Sequence, residues 1–397
     1  MFRRVYLDNS ATTPVDPRVF EAMLPFLNDS FGNASSIHFF GQEARAAVDK
    51  ARHQVAELVN ARPSEIIFTS GGTESDNLAV RGFAEAHESH GKHIVTSSIE
   101  HPAVKNVCED LEKQGFEVTY LPVYNDGIVR IEDVKDTVRD DTILVTIMAA
   151  NNEIGTIQPV DEIGRFVRGL RTGGRKIAFH TDAVQAVGKM PVDVEEIGCD
   201  LLSISGHKIN APKGIGALYV RRGTRLHPQN IGGRQERGVR GGTESVPNIV
   251  AIGHAAKLAK NELDNESENL RGLRDRFESA VGESVPEIVF NGNRDHRLPN
   301  ISNISFRSVE GEGLLINLDM QGVAVSTGSA CSSGSLEPSP VIRALGVDEE
   351  RARGAMRFSF GRFNTREDVD RVLEVLPTAV KTLRQLAPAR REQAAKR

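Results

Sequence analysis

The stretch DLLSISGHKINAPKGIGALYV, Asp200–Val220, decides the fold. Leu201–Ile204 is a short apolar run, the pattern of a buried strand, and it stops abruptly at Ser205, Gly206, His207 and Lys208. Gly216–Val220 predicts a second strand, and Pro212, Gly214 and Gly216 break any helix between the two and hold a tight connection. Lys208 is therefore expected at the mouth of a buried strand, near the sheet. Burial disfavours the ammonium form, so a lysine placed there can be a free amine near neutral pH, able to condense with an aldehyde. Taken alone, the stretch fits a strand-end lysine that reaches water better, because most lysines are exposed.

The upstream stretch FHTDAVQAVGK changes that balance. It sets Asp182 at the end of a strand expected over 177–179, with Gln185 three residues on. A carboxylate beside a pyridine nitrogen keeps the ring protonated, and a protonated ring is an electron sink. Asp182, Gln185 and Ser205-x-His207-Lys208 at these spacings resemble the fold-type I pyridoxal-phosphate enzymes of the class V aminotransferase branch. With VAVSTGSACSSG at Val323–Gly334, the chain resembles the cysteine desulfurases of the NifS/IscS kind. The resemblance runs from YLDNSATTP at Tyr6–Pro14 to RFSFGRF at Arg357–Phe363, nearly the whole chain.

Composition bounds the reading from outside. A chain of 397 residues is too long for one small core and suits a large and a small domain. Lys plus Arg number 49 against 54 Asp plus Glu, a net charge of −5, which lacks the basic footprint of a nucleic-acid binder. No run of about 18 apolar residues predicts a membrane span. The first residues lack an apolar signal core, so a cytoplasmic protein is expected. Cys108, Cys199 and Cys331 are odd in number and lack metal-type spacing, so neither a disulfide framework nor a metal site is expected. Cys108 and Cys199 lie among apolar neighbours and are read as packing.

Strands alternate with helices to about residue 250, the pattern of a mainly parallel, buried sheet with helices on both faces. Ligands of such sheets gather at the carboxyl ends of the strands. Thr73, His101, Asn152, Asp182 and Lys208 all fall at such ends. SGGTESDN, Ser70–Asn77, places Gly71 and Gly72 between a strand and a helix start, which suits an anion at the helix N-terminus and suits an ordinary capped helix as well. GGRQERGVRGGTES, Gly232–Ser245, is a Gly- and Arg-rich loop whose arginines fit either an anion or an interface. A helix from about Pro247 is expected to lead into a second over Ser267–Val281, with a domain change near residue 260. Cys331 sits among Gly and Ser residues in a loop with little to pack it, where a thiol without chemistry is an oxidation liability. An arginine after a strand makes a good carboxylate clamp, and Arg357 and Arg362 are the two candidates.

The resemblance implies more. The expected fold is α/β, a mainly parallel seven-stranded sheet sandwiched by helices, with a smaller α+β C-terminal domain. The large cofactor-binding domain would span 15–260, and the small domain 1–14 and 261–397 with the Cys331 loop. Pyridoxal 5'-phosphate would sit on Lys208, held by Gly72, Thr73, Asn152, Asp182, Gln185, Ser205 and His207. His101 would stack on its ring, and Thr243 would reach a neighbouring subunit's phosphate in a homodimer. Arg357 and Asn152 would bind L-cysteine, and Cys331 would take its sulfur for an acceptor protein, an iron–sulfur scaffold or a thiolation enzyme. In the family the loop at Phe31–Gly41 has a proline where Ala34 stands, a departure remote from the chemistry. Three other readings remain on sequence grounds: a selenocysteine lyase, a class V aminotransferase proper in which Cys331 is idle, and a silent assembly scaffold, against which Lys208 and Asp182 argue.

Overall fold

The structure, a computed structural model, describes residues 4–328 and 337–386. Cys331 therefore lies outside the described residues. The strands in chain order are β1 (Val5–Tyr6), β2 (Ile66–Thr69), β3 (His93–Ser97), β4 (Glu117–Leu121), β5 (Thr142–Thr146), β6 (Ala178–Asp182), β7 (Leu201–Ser205), β8 (Gly216–Val220), β9 (Ile288–Phe290), β10 (Ile301–Phe306), β11 (Val323–Ala324) and β12 (Ala355–Ser359). Seven of them form one sheet in the order β2-β8-β7-β6-β5-β3-β4. β8 alone in this sheet runs antiparallel to its neighbours β2 and β7, and the rest pair in parallel. β3, β5, β6 and β7 are buried along their whole length, as strands covered by helices on both faces must be.

The register sets up the site. Gly216 on β8 pairs with Thr69 on one side and with Ser205 on the other, so the loops that follow β2 and β7 emerge side by side. A Cβ at Gly216 would fall 2.7 Å from the Gly71 backbone, so glycine is what lets these loops approach.

One expectation needs correction. The two helices expected around residue 260 are a single helix, Val246–Ser284, of 39 residues. Asn261–Asn265 are polar apart from Leu263, and none of them is a glycine or proline to break the run. The helix changes partners instead: Ile249, Ile252 and Ala256 pack in the cluster beside the large sheet. Leu270, Leu273, Phe277 and Val281 join a second cluster with Val5, Leu7, Phe306, Phe358 and Val372. In that second cluster β10 lies between β9 and β12, all antiparallel. Cys108 and Cys199 are fully buried free thiols, consistent with packing roles.

Candidate active site

A cavity of about 270 Å³ opens at the carboxyl ends of β2, β3, β5, β6 and β7. Gly72, Thr73, His101, Asn152, Asp182, Gln185, Ser205, His207, Lys208 and Arg357 all line it. The exposed Thr243 does not, and within one chain it lies away from the cavity.

Lys208 follows β7 in a single tight turn, Gly206–Lys208, and its Nζ donates to the carbonyls of Ser10 and Ala11, the latter at 2.8 Å. The N-terminal arm thus lies across the lysine. Asp182 ends β6, accepts from the Val184 amide at 2.9 Å and is 7 % exposed. Burial pushes its carboxyl above the usual carboxylate range, against the pull of His101, the Val184 amide and Lys208. An acid held this way is ready for a cationic partner, such as a protonated ring nitrogen.

His101 caps the helix Pro102–Lys113: its Nδ1 accepts from the Ala103 amide at 3.1 Å. Burial lowers its pKa, so the ring is neutral, and with Nδ1 accepting, the proton sits on Nε2. His207 is also neutral, its pKa pushed down to about 4 by burial and then by Lys208 and Lys213, and its Nδ1 lies 3.1 Å from Thr12 Oγ1. Gln185 donates one amide hydrogen to the Ser10 carbonyl at 3.0 Å, which leaves its second N–H for a ligand.

The helix Gly72–His87 points its N-terminus at the cavity, and its first-turn N–H groups have no acceptor within the helix. Ser205 Oγ is buried beside it without a partner. A Cβ at Gly72 would stand 3.0 Å from Val184 Cγ2 and 3.5 Å from Ser205 Cβ, so glycine keeps this cradle open. Amide donors, a helix dipole and a free hydroxyl together suit a phosphate.

Arg357 on β12 is 1 % exposed and donates to Asn152 O at 3.0 Å and to Asp8 Oδ1 at 2.7 Å, while its Nε has no partner. Arg362 is bonded instead to Asp16 and Glu266, away from the cavity, so geometry separates the two candidate clamps. The sequence reading missed Ser10, Ala11, Asp8, Asp76, Glu100 and Glu153 as participants. Asp8, Ser10 and Ala11 lie on an arm whose motif was legible, but Ser10 and Ala11 act through backbone carbonyls and Asp8 through a carboxylate brought to Arg357 only by the fold. Asp76 passes as a helix-capping residue, yet it faces inward one turn below Gly72, where it is 1 % exposed and lies 3.6 Å from His180 Nε2.

The aminotransferase class-V family matches residues 5–372 of this chain. A relative from Dictyoglomus turgidum named "Cysteine desulfurase IscS" is 52% identical over 99% of this chain and 98% of its own. One of the same name from Methanosarcina thermophila is 51% identical over 97% of this chain and 94% of its own. Among solved structures, one titled "NIFS-LIKE PROTEIN" superposes with a TM-score of 0.87 at 38% identity, covering 97% of this chain and 99% of that one. Another, "SspA in complex with cysteine", does so with a TM-score of 0.81 at 38% identity, covering 91% and 100%.

Proposed function

Since the chain belongs to the aminotransferase class-V family, we propose that it is a pyridoxal-phosphate-dependent cysteine desulfurase, which takes sulfur from L-cysteine, releases L-alanine and carries the sulfur as a persulfide on Cys331. One observation carries the reading: an amine, a buried acid, a neutral imidazole and a guanidinium with unused donors face one cavity beside a helix N-terminus. Identity near 50% to relatives named cysteine desulfurase supports the same reaction.

The residues fit the cofactor. Gly72, Thr73, Ser205 and His207 would hold its phosphate, Asp182 its ring nitrogen, Gln185 and Asn152 its ring oxygen, and His101 would cover the ring. Pyridoxal phosphate, when bound, supplies an aldehyde for amines and a protonated ring that accepts electrons. Arg357 would fix the carboxylate of L-cysteine with Asn152 beside it. Lys208, once its amine is free, would remove the α-proton and return it during product release. The Cys331 thiolate would attack the substrate sulfur. A sulfur–sulfur bond forms and the carbon–sulfur bond breaks. Its electron pair stays with carbon, which takes up a proton as the methyl group of alanine.

The acceptor is an iron–sulfur scaffold or a thiolation enzyme. We infer a homodimer, in which Thr243 reaches the partner's phosphate. Exposed Phe31, Ile37 and Phe39, and Ile231 near the Thr243 loop, support an apolar contact between copies. Domains of 15–260 and of 1–14 with 261–397 are supported by the two apolar clusters joined by the helix Val246–Ser284, although Leu298, Ile301, Val341 and Ile342 pack into the larger cluster. No helix among the described residues is long and apolar enough to cross a membrane, and two buried free thiols support a cytoplasmic setting.

The test is alanine release from L-cysteine with no keto acid present, matched one to one by reducible sulfur. Alanine formed only with a keto-acid acceptor would identify an aminotransferase. Turnover of selenocysteine alone would identify the lyase.

A further inference from the structure

Glu100 has no part in the chemistry above, yet it lines the cavity at 5 % exposure, one residue before His101. Ser97 Oγ at 2.7 Å and the Met148 amide at 2.9 Å both donate to its Oε1. Its Oε2 is buried and has no partner. Two donors on one oxygen and none on the other is the pattern of a neutral acid, with the carbonyl accepting and the hydroxyl left to donate. A carboxylate there would keep a charged oxygen dry and unpaired, which buried charges avoid.

The surrounding groups favour the same state. Asp76 from the helix Gly72–His87 and Asp182 from β6 are buried around this cavity, and like charges in one dry site cannot all ionise. The other titratable groups nearby are His101, kept neutral by burial, and Cys108, whose thiol burial pushes up with Glu100 adding to it. Lys208 acts on Asp182 and His101. Among the described residues no cationic side chain lies within 4.0 Å of the Glu100 carboxyl.

We propose that Glu100 works as a neutral carboxylic acid, a positioning residue that leaves Asp182 as the carboxylate facing the cofactor ring. This role rests on the pyridoxal-phosphate reading, but its protonation does not. Burial pushes Glu100 from 4.5 up to about 8. The folded chain then holds a proton that the unfolded chain releases, so stability falls as pH rises from about 4.5 through about 8.

Glu100→Gln copies the neutral acid and removes the titration. In the chain without cofactor at neutral pH, infrared spectroscopy should find a protonated-carboxyl C=O band in wild type that is missing in E100Q. In wild type the band should fade with a midpoint near 8. Melting temperature should fall through that pH in wild type and less in E100Q. With cofactor bound, its visible absorbance should shift at the same midpoint in wild type and stay level in E100Q. A carboxylate band from Glu100 at neutral pH, or a midpoint below neutral, overturns the proposal. Should E100Q not fold, Glu100→Asp takes its place, and the band should shift in frequency. If the chain binds no cofactor, the proposed function fails while the infrared titration still decides the state of Glu100.

Discussion

Replacing Arg357 with lysine tests the substrate clamp. A guanidinium has five N–H donors. Asn152 O and Asp8 Oδ1 take one each, and Nε, buried and unpartnered, is among those left for a carboxylate. Lysine keeps the charge and can still hold Asp8, but it cannot make two parallel bonds. The loss is one charge-assisted hydrogen bond, about 1.5–3 kcal/mol. At 1.36 kcal/mol per decade this is a rise of about 10- to 150-fold in KM for L-cysteine. The bond is present before and during reaction, so kcat should change far less. Steady-state alanine release read beside melting temperature separates the clamp from a folding defect. Arg362→Lys is the control: it weakens the Asp16 and Glu266 contacts and should lower stability while leaving KM in place. An unchanged KM in R357K, with the chain folded and loaded, would refute the reasoning.

Three further outcomes follow from the same geometry. Asp182→Asn keeps the Val184 contact but removes the charge, worth 1–3 pK units to a paired cation, so turnover should fall by about 10- to 1,000-fold with the fold intact by circular dichroism. Gly216→Ala drives a Cβ to 2.7 Å from the Gly71 backbone and should cost about 1–3 kcal/mol in urea unfolding, with weaker cofactor retention. His180 and His207 have pKa values pushed down by burial to about 3 and about 4. The unfolded chain takes up protons that the folded one refuses, so the urea midpoint should fall as pH drops from about 6.5 towards those values.

Much of the fold was legible because short apolar runs bounded by Gly and Pro have few other uses. β8 begins and ends where its composition says, Gly216–Val220. The long helix was misread as two because its polar middle looks like a boundary, although nothing in it breaks hydrogen bonding. Site residues with distinctive chemistry at strand ends, Lys208 and Asp182 above all, announce themselves through position. Ser10 and Ala11 act through backbone carbonyls, which carry no sequence signature. Asp76 and Glu100 owe their character to burial by elements distant in sequence, so no local pattern reveals them. The choice between Arg357 and Arg362 likewise needed the acids that tertiary structure brings to Arg362.

The central claim is that the amine of Lys208 captures the cofactor's aldehyde. Borohydride reduction of the loaded chain, followed by peptide mass spectrometry, reads this directly. The account expects the pyridoxyl group on Lys208 Nζ, and no such label in Lys208→Ala. A pyridoxyl group on another lysine, or L-cysteine turnover with no labelled lysine at all, would contradict it.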